Sequence, residues 1–297
     1  MSNSLRSAIA YILKFFGKML FAMVAFVFFL IFLISFFNNP RPKTEPNYET
    51  RYTKLTVNQI LSKSNYEWND TDLVTQSRCW KVLKSNDVPC TDYSIGIWEV
   101  QHQTTHREYN VQPVMRGIPF RKDYWTQVYH SIYEHNKNGM QELKDTLYNY
   151  AQVHQLNAVD FANYMVSFVQ DMPYWYIMEG NICASYETPD QPCISGFKYG
   201  ILSPSEIAAT GVGDCDSRTL LLYSLFRHFN YEVVIFVSDE YKHSMLGLNI
   251  PSTGKYLKVD GRKFYFWETT GKNWESGMIP PNDNVLSYWY VALSYNA

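Results

Sequence analysis

The sequence predicts an α+β fold behind an N-terminal transmembrane helix. Three observations carry this expectation. The run MLFAMVAFVFFLIFLISFF, Met19 to Phe37, is uncharged and about long enough to cross a bilayer as a helix. Residues 123–172 place apolar side chains at helical spacing. From residue 200 the order is a short helix, a cysteine-bearing helix and then strands, two of them joined by an Asp-Gly turn that makes them antiparallel.

Residues 1–18 carry Arg6, Lys14 and Lys18 and no acid, so they should stay in the cytoplasm and the body should lie outside, periplasmic or extracellular. A cleaved signal peptide is the rival reading. The length of the apolar run, its phenylalanines and the lack of a small-x-small site favour an uncleaved single-pass anchor in the cell membrane. Residues 38–50, rich in proline and charge, read as a linker. Residues 51–122 form an N-terminal mixed α/β region. TVNQILSKS suggests a short helix, and YSIGIWEVQHQ alternates as a strand with Ile95, Ile97 and Glu99 on one face.

Residues 123–172 form a helical region. Trp125, Val128, Tyr129 and Ile132 mark one helix, Leu143, Leu147 and Tyr150 a second, and Phe161, Met165, Phe168 and Val169 a third. Asn157 is the N-cap of the third helix, and Pro173 stops it. Residues 173–297 form the core. SPSEIAATG reads as a helix with Ser203 as cap, Pro204 in the first turn, Glu206 three residues on and Gly211 at its end. The next helix opens at Asp214 or Cys215 and buries Leu220, Leu221, Leu222, Leu225 and Phe226. EVVIFVS and HSMLGLNI are strands, and GKYLKV and RKFYFWETT form a hairpin about Asp260-Gly261. The tail SYWYVALSY docks on the core as a final strand or helix.

The formal net charge is −2 and no long basic run appears, which excludes nucleic acid as a natural partner. There are five cysteines. Cys79 with Cys90, and Cys183 with Cys193, bracket polar loops. Both pairs are expected as disulfides of an exported protein, since neither has the spacing of zinc ligands. Cys215 is then left unpaired, and a leftover thiol in an exported protein needs an explanation.

Cys215 falls in the first turn of its helix, where free N–H groups and the macrodipole favour a thiolate and can hold an oxyanion. Asp214 and Asp216 oppose this. Asp214 is expected to be spent as the N-cap and Asp216 to face solvent or pair with Arg218. His243, opening the next strand but one, is placed to act as base. Glu268, on the face of Phe264 and Phe266, is the expected orienting acid, and Asp260 is the alternative. Gln170 and Tyr174 are candidates for a second oxyanion donor. His102 and His106 have i,i+4 spacing, but the segment reads as strand and no Glu lies between them, so no metal is expected. NDTD, residues 69–72, reads as a solvated turn rather than a calcium site.

GVGDCDSRTLLLYSLF, HSMLGL and FWETT, in that order, resemble the Gly-Asp-Cys helix start, the His-led strand and the acid-Thr strand end of the transglutaminase-like, papain-fold cysteine protease superfamily. FVQDMPYW and LSPSEIAATGVGDC continue the likeness, which spans Val166 to Thr270. The family's usual Asp is replaced by Glu268, and Ser244-Met245 follow His243 where a small and a bulky residue are usual. The resemblance implies a papain-like core and a Cys-His-acid catalytic triad without cofactor. It also implies acyl chemistry on a protein or peptide substrate: amide hydrolysis, transfer to an amine, or an inactive binding or scaffold module at the cell envelope.

Overall fold

The computed structural model describes residues 57–61, 71–114, 121–180, 183 and 192–296. The expected cytoplasmic segment, membrane helix and linker, and Asn69 and Asp70 of the NDTD turn, lie outside the described residues. Among the described residues no helix is long and apolar enough to cross a membrane.

A short helix α1 (Val57–Ile60) precedes a hairpin of β1 (Leu73–Cys79) and β2 (Cys90–Gly96). Cys79 and Cys90 are directly opposed in its register and are bonded as a disulfide, as expected from their spacing. The strand expected over YSIGIWEVQHQ stops halfway. Ile97–Thr105 is helix α2, running on into a π-helical turn at His106–Asn110. Ile97, Val100 and Gln103 are buried at a spacing of three, while Trp98 is 55% exposed. A helical stripe therefore fits the core better than continued alternation, which would bury Glu99.

Helices α3 (Arg121–Asn136), α4 (Gln141–Val153) and α5 (Ala158–Gln170) follow the apolar stripes predicted for them. The Asn157 side chain accepts from the Val159 and Asp160 N–H groups and caps α5. Two short parallel strands, β3 (Tyr176–Met178) and β4 (Cys193–Ser195), carry the second disulfide, Cys183–Cys193. Helix α6 (Pro204–Thr210) has the expected capping box of Ser203 and Glu206. It ends at Gly211 with φ +70°, where a side chain would be strained.

Helix α7 (Cys215–His228) packs on a five-stranded antiparallel sheet of β5 (Val233–Ser238), β6 (His243–Leu248), β7 (Tyr256–Val259), β8 (Arg262–Trp267) and β9 (Tyr290–Leu293). The strand order is β7-β8-β6-β5-β9. Asp260 and Gly261, with φ 49° and 79°, make the predicted hairpin turn, and the aromatic tail supplies β9 as the edge strand on β5. Both faces of the sheet are covered. Val233, Ile235, Leu246, Leu248 and Trp267 join the main core with α7. Val234, Phe236, Met245, Phe264, Phe266 and Trp289 form a second apolar layer on the far side. This is why β5 reads as a continuous apolar run rather than an alternation.

Candidate active site

The N-terminus of α7 and the ends of β6 and β8 meet at one place. Asp214 has extended backbone, and its side chain accepts from the Ser217 N–H at 3.0 Å, the N-cap expected of it. This frees the first turn to start at Cys215, which is 7% exposed and is the free cysteine. Strand β6 starts at His243. Its register against β8 pairs Leu246 with Trp267, so the next step sets Glu268 opposite Met245 and diagonal to His243 on one sheet face.

His243 Nε2 lies 2.8 Å from Glu268 Oε2. The other carboxylate oxygen, Oε1, accepts from the Thr269 N–H at 2.8 Å, the Thr270 N–H at 2.7 Å and the Thr270 hydroxyl at 2.6 Å. The threonines after the acid thus have a physical role: they hold the carboxylate from behind. The Trp289 ring packs edge-on to the imidazole, with centroids 6.1 Å apart. On its other side the imidazole lies close enough to the Cys215 thiol for the two to interact. The structure therefore brings Cys215, His243 and Glu268 together in the order thiol, imidazole, carboxylate.

The ionisation preferences follow from burial and contact. Burial favours a neutral Glu268, but the His243 and Thr270 bonds outweigh it and hold the carboxyl below its usual range. Burial likewise favours neutral His243, yet the bonds to Cys215 and Glu268 raise it well above the ordinary imidazole value. A helix N-terminus favours a thiolate, with Asp214 and Asp216 expected to oppose it. The thiol rises above its free value, because burial comes first and the Asp216 charge second, with the His243 bond only partly offsetting them. Burial and Asp216 also push Asp214 up to about 8.

The remaining candidates fall in distinct places. Tyr174 bridges to Gly213 in the turn before the thiol, and its phenol is kept protonated by burial and by the nearby Cys215, Asp214 and Asp216. Gln170 is buried close by, but its amide nitrogen donates to the Glu268 carbonyl at 2.7 Å and the Trp274 carbonyl at 2.9 Å. Both N–H groups are thereby used, and the side chain fixes the acid's loop rather than offering a donor to an oxyanion. Asp260 sits in the hairpin turn at the opposite end of β8 from Glu268, too far along the strand to orient His243. Asp216 does not pair with Arg218; the buried Tyr129 hydroxyl donates to it at 2.5 Å. That contact was invisible in the sequence because α3 and α7 meet only in the fold.

His102 and His106 lie on a helical segment, not a strand, and share a face with His135 of α3. Ring centroids are 4.7 Å apart for His102 and His135, and 3.8 Å apart for the stacked rings of His106 and His135. Stacked imidazoles direct their in-plane lone pairs side by side, not at a common ion, and His106 Nε2 is bonded to Ser131. Among the described residues no group of three or more His, Cys, Asp or Glu is arranged to hold a metal.

No protein-family model, curated protein sequence or solved structure matches the chain.

Proposed function

We propose that the chain is a divergent member of the transglutaminase-like, papain-fold superfamily and acts as a cysteine-dependent amide hydrolase or acyl transferase outside the cytoplasm. The observation that carries this reading is the contact chain from Cys215 through His243 to Glu268, built from a helix N-terminus and two neighbouring strands. Two disulfides fit an oxidising compartment, and the apolar run Met19–Phe37 would anchor the body to the membrane.

In the proposed reaction His243 carries the Cys215 proton as an imidazolium while the sulfur attacks an amide carbonyl. The developing oxyanion is held by N–H groups at the start of α7. Glu268, ionised and fixed by Thr269 and Thr270, stabilises the imidazolium that forms. The C–N bond breaks, the imidazolium gives its proton to the leaving amine, and a thioester on Cys215 remains. Water or a second amine then attacks the thioester, His243 takes the incoming proton, and the thiol is regenerated. Hydrolysis needs only water as second substrate, which favours peptidase activity over transfer.

A second reading has one observation in its favour. The thiol is pushed up rather than down, as suits an inactive binding module on the same scaffold. The rate of iodoacetamide reaction with Cys215 across pH separates the two. The enzyme reading expects His243→Ala to move the reaction midpoint upward. Indifference to His243→Ala would leave Cys215 as a packing residue, and the binding module would then be preferred.

A further inference from the structure

Arg218 lies one turn beyond the thiol on α7 and is fully buried. Among the described residues it forms no ion pair; its guanidinium is spent on backbone carbonyls. Nε donates to Gly213 at 2.9 Å. Nη1 donates to Thr269 at 3.2 Å and to Thr270 at 3.1 Å, and Nη2 to Met172 at 2.5 Å. The Tyr174 ring lies under the guanidinium carbon at 5.4 Å. Four of its five N–H donors are therefore used on three separate segments: the end of α5, the turn before Cys215, and the loop after Glu268.

These contacts close a ring. Thr269 and Thr270, whose carbonyls face Arg218, are also the residues whose N–H groups hold Glu268. Glu268 holds His243, and His243 meets the thiol. Back along the chain, Gly213 sets the turn that places Cys215. One planar fork thus fixes the acid's loop against the nucleophile's turn, and a lysine could not reproduce it with a single ammonium. The guanidinium needs no carboxylate for this work, since carbonyl dipoles from three segments converge on it.

We infer that Arg218 is a positioning residue that sets the register between the Cys215 turn and the Glu268 loop, so that the imidazole can serve the thiol. This rests on the Cys215–His243 reading above. The test is the pH dependence of iodoacetamide alkylation of Cys215 in the full-length chain, compared for wild type, Arg218→Lys and His243→Ala, with thermal melts alongside. Arg218→Lys keeps the charge and loses the fork. A folded Arg218→Lys whose profile shifts toward that of His243→Ala, with alkylation slowed ~10–100-fold at neutral pH, supports the inference. A folded Arg218→Lys with the wild-type profile overturns it, because a purely structural arginine changes the melt and not the profile.

Should Arg218→Lys fail to fold, hydrogen exchange in the wild type decides. The Thr269 and Thr270 amides are expected to exchange only with the core of α7. Exchange by local opening, well ahead of α7, shows that the loop is not held and overturns the inference. If His243→Ala leaves the wild-type profile unchanged, the cysteine reading itself fails. The exchange result still says whether the loop after Glu268 is held.

Discussion

Replacing Glu268 with Gln is expected to destabilise the protein in a way that depends on pH. The side chain is 1% exposed and serves two sets of partners. The amide oxygen of Gln can still accept from Thr269 and Thr270, so those bonds survive. What is lost is the negative charge facing His243. Orphaning one member of a buried pair costs ~3–5 kcal/mol, and the retained threonine bonds put this case near the lower end, about 3 kcal/mol. For a body of this size that corresponds to a melting temperature lower by roughly 6–12 °C.

The cost should track the ionisation of the pair. His243 is raised well above 6.5 in the folded state. Its contribution is therefore complete below the unfolded imidazole value and is lost as pH rises through the folded one. Glu268 is lowered, so its contribution is present above the unfolded carboxyl value and is lost as pH falls through the folded one. The window of full stabilisation lies between the unfolded values of the two groups. Urea denaturation of wild type and Glu268→Gln should show the largest difference at about pH 5.5, between the two unfolded values, shrinking as pH rises through the raised imidazole value to the ~1 kcal/mol of an ordinary hydrogen bond. A difference that is flat with pH, or that grows toward alkaline pH, would refute the pairing of an imidazolium with this carboxylate.

Asp216→Asn removes the charge that, after burial, does most to raise the thiol. The midpoint of Cys215 alkylation should move down, and a midpoint that stays or rises contradicts the electrostatic account. Cys79→Ser with Cys90→Ser opens a loop whose ends are separated by 11 residues, and loop-closure entropy puts the loss at about 3 kcal/mol. Equal denaturation midpoints for this variant and wild type would show that the hairpin holds without the bond. Gly247→Ala sets a Cβ only 2.3 Å from the Phe236 ring across the β5–β6 pair, and overpacking of this kind costs ~1–3 kcal/mol. Unchanged urea stability would mean that the second apolar layer yields more easily than its packing suggests.

What the sequence made legible was local. Asn157, the Ser203-Pro204-Glu206 start and Asp214 announce helix ends because a cap acts within three residues. Asp260-Gly261 announces its turn for the same reason, and the thiol, imidazole and carboxylate stand at element ends that the pattern marks. What stayed hidden depends on distant segments. Alternation at Ile95 and Ile97 gave no sign that the chain turns helical at Ile97, since the choice is made by what Val100 and Gln103 bury against. Gln170 looked like a donor to the reaction because nothing nearby in sequence shows the Glu268 and Trp274 carbonyls that occupy it. The direction of the thiol's shift was hidden as well, because helix position is visible in sequence and the depth of burial is not.

The three central side chains do not belong to one structural layer. His243 and Glu268 sit on hydrogen-bonded neighbours in one sheet, so their meeting is guaranteed by strand register alone. Cys215 comes from a helix stacked on that sheet and meets them only through the packing between layers. The partnership is therefore modular. Drift in the helix could silence the sulfur while the imidazole–carboxylate pair persists as a stabilising relic, whereas a slip in register would dismantle sheet and pair at once. On such a scaffold the contact that crosses between layers is easier to lose than the one written into the sheet.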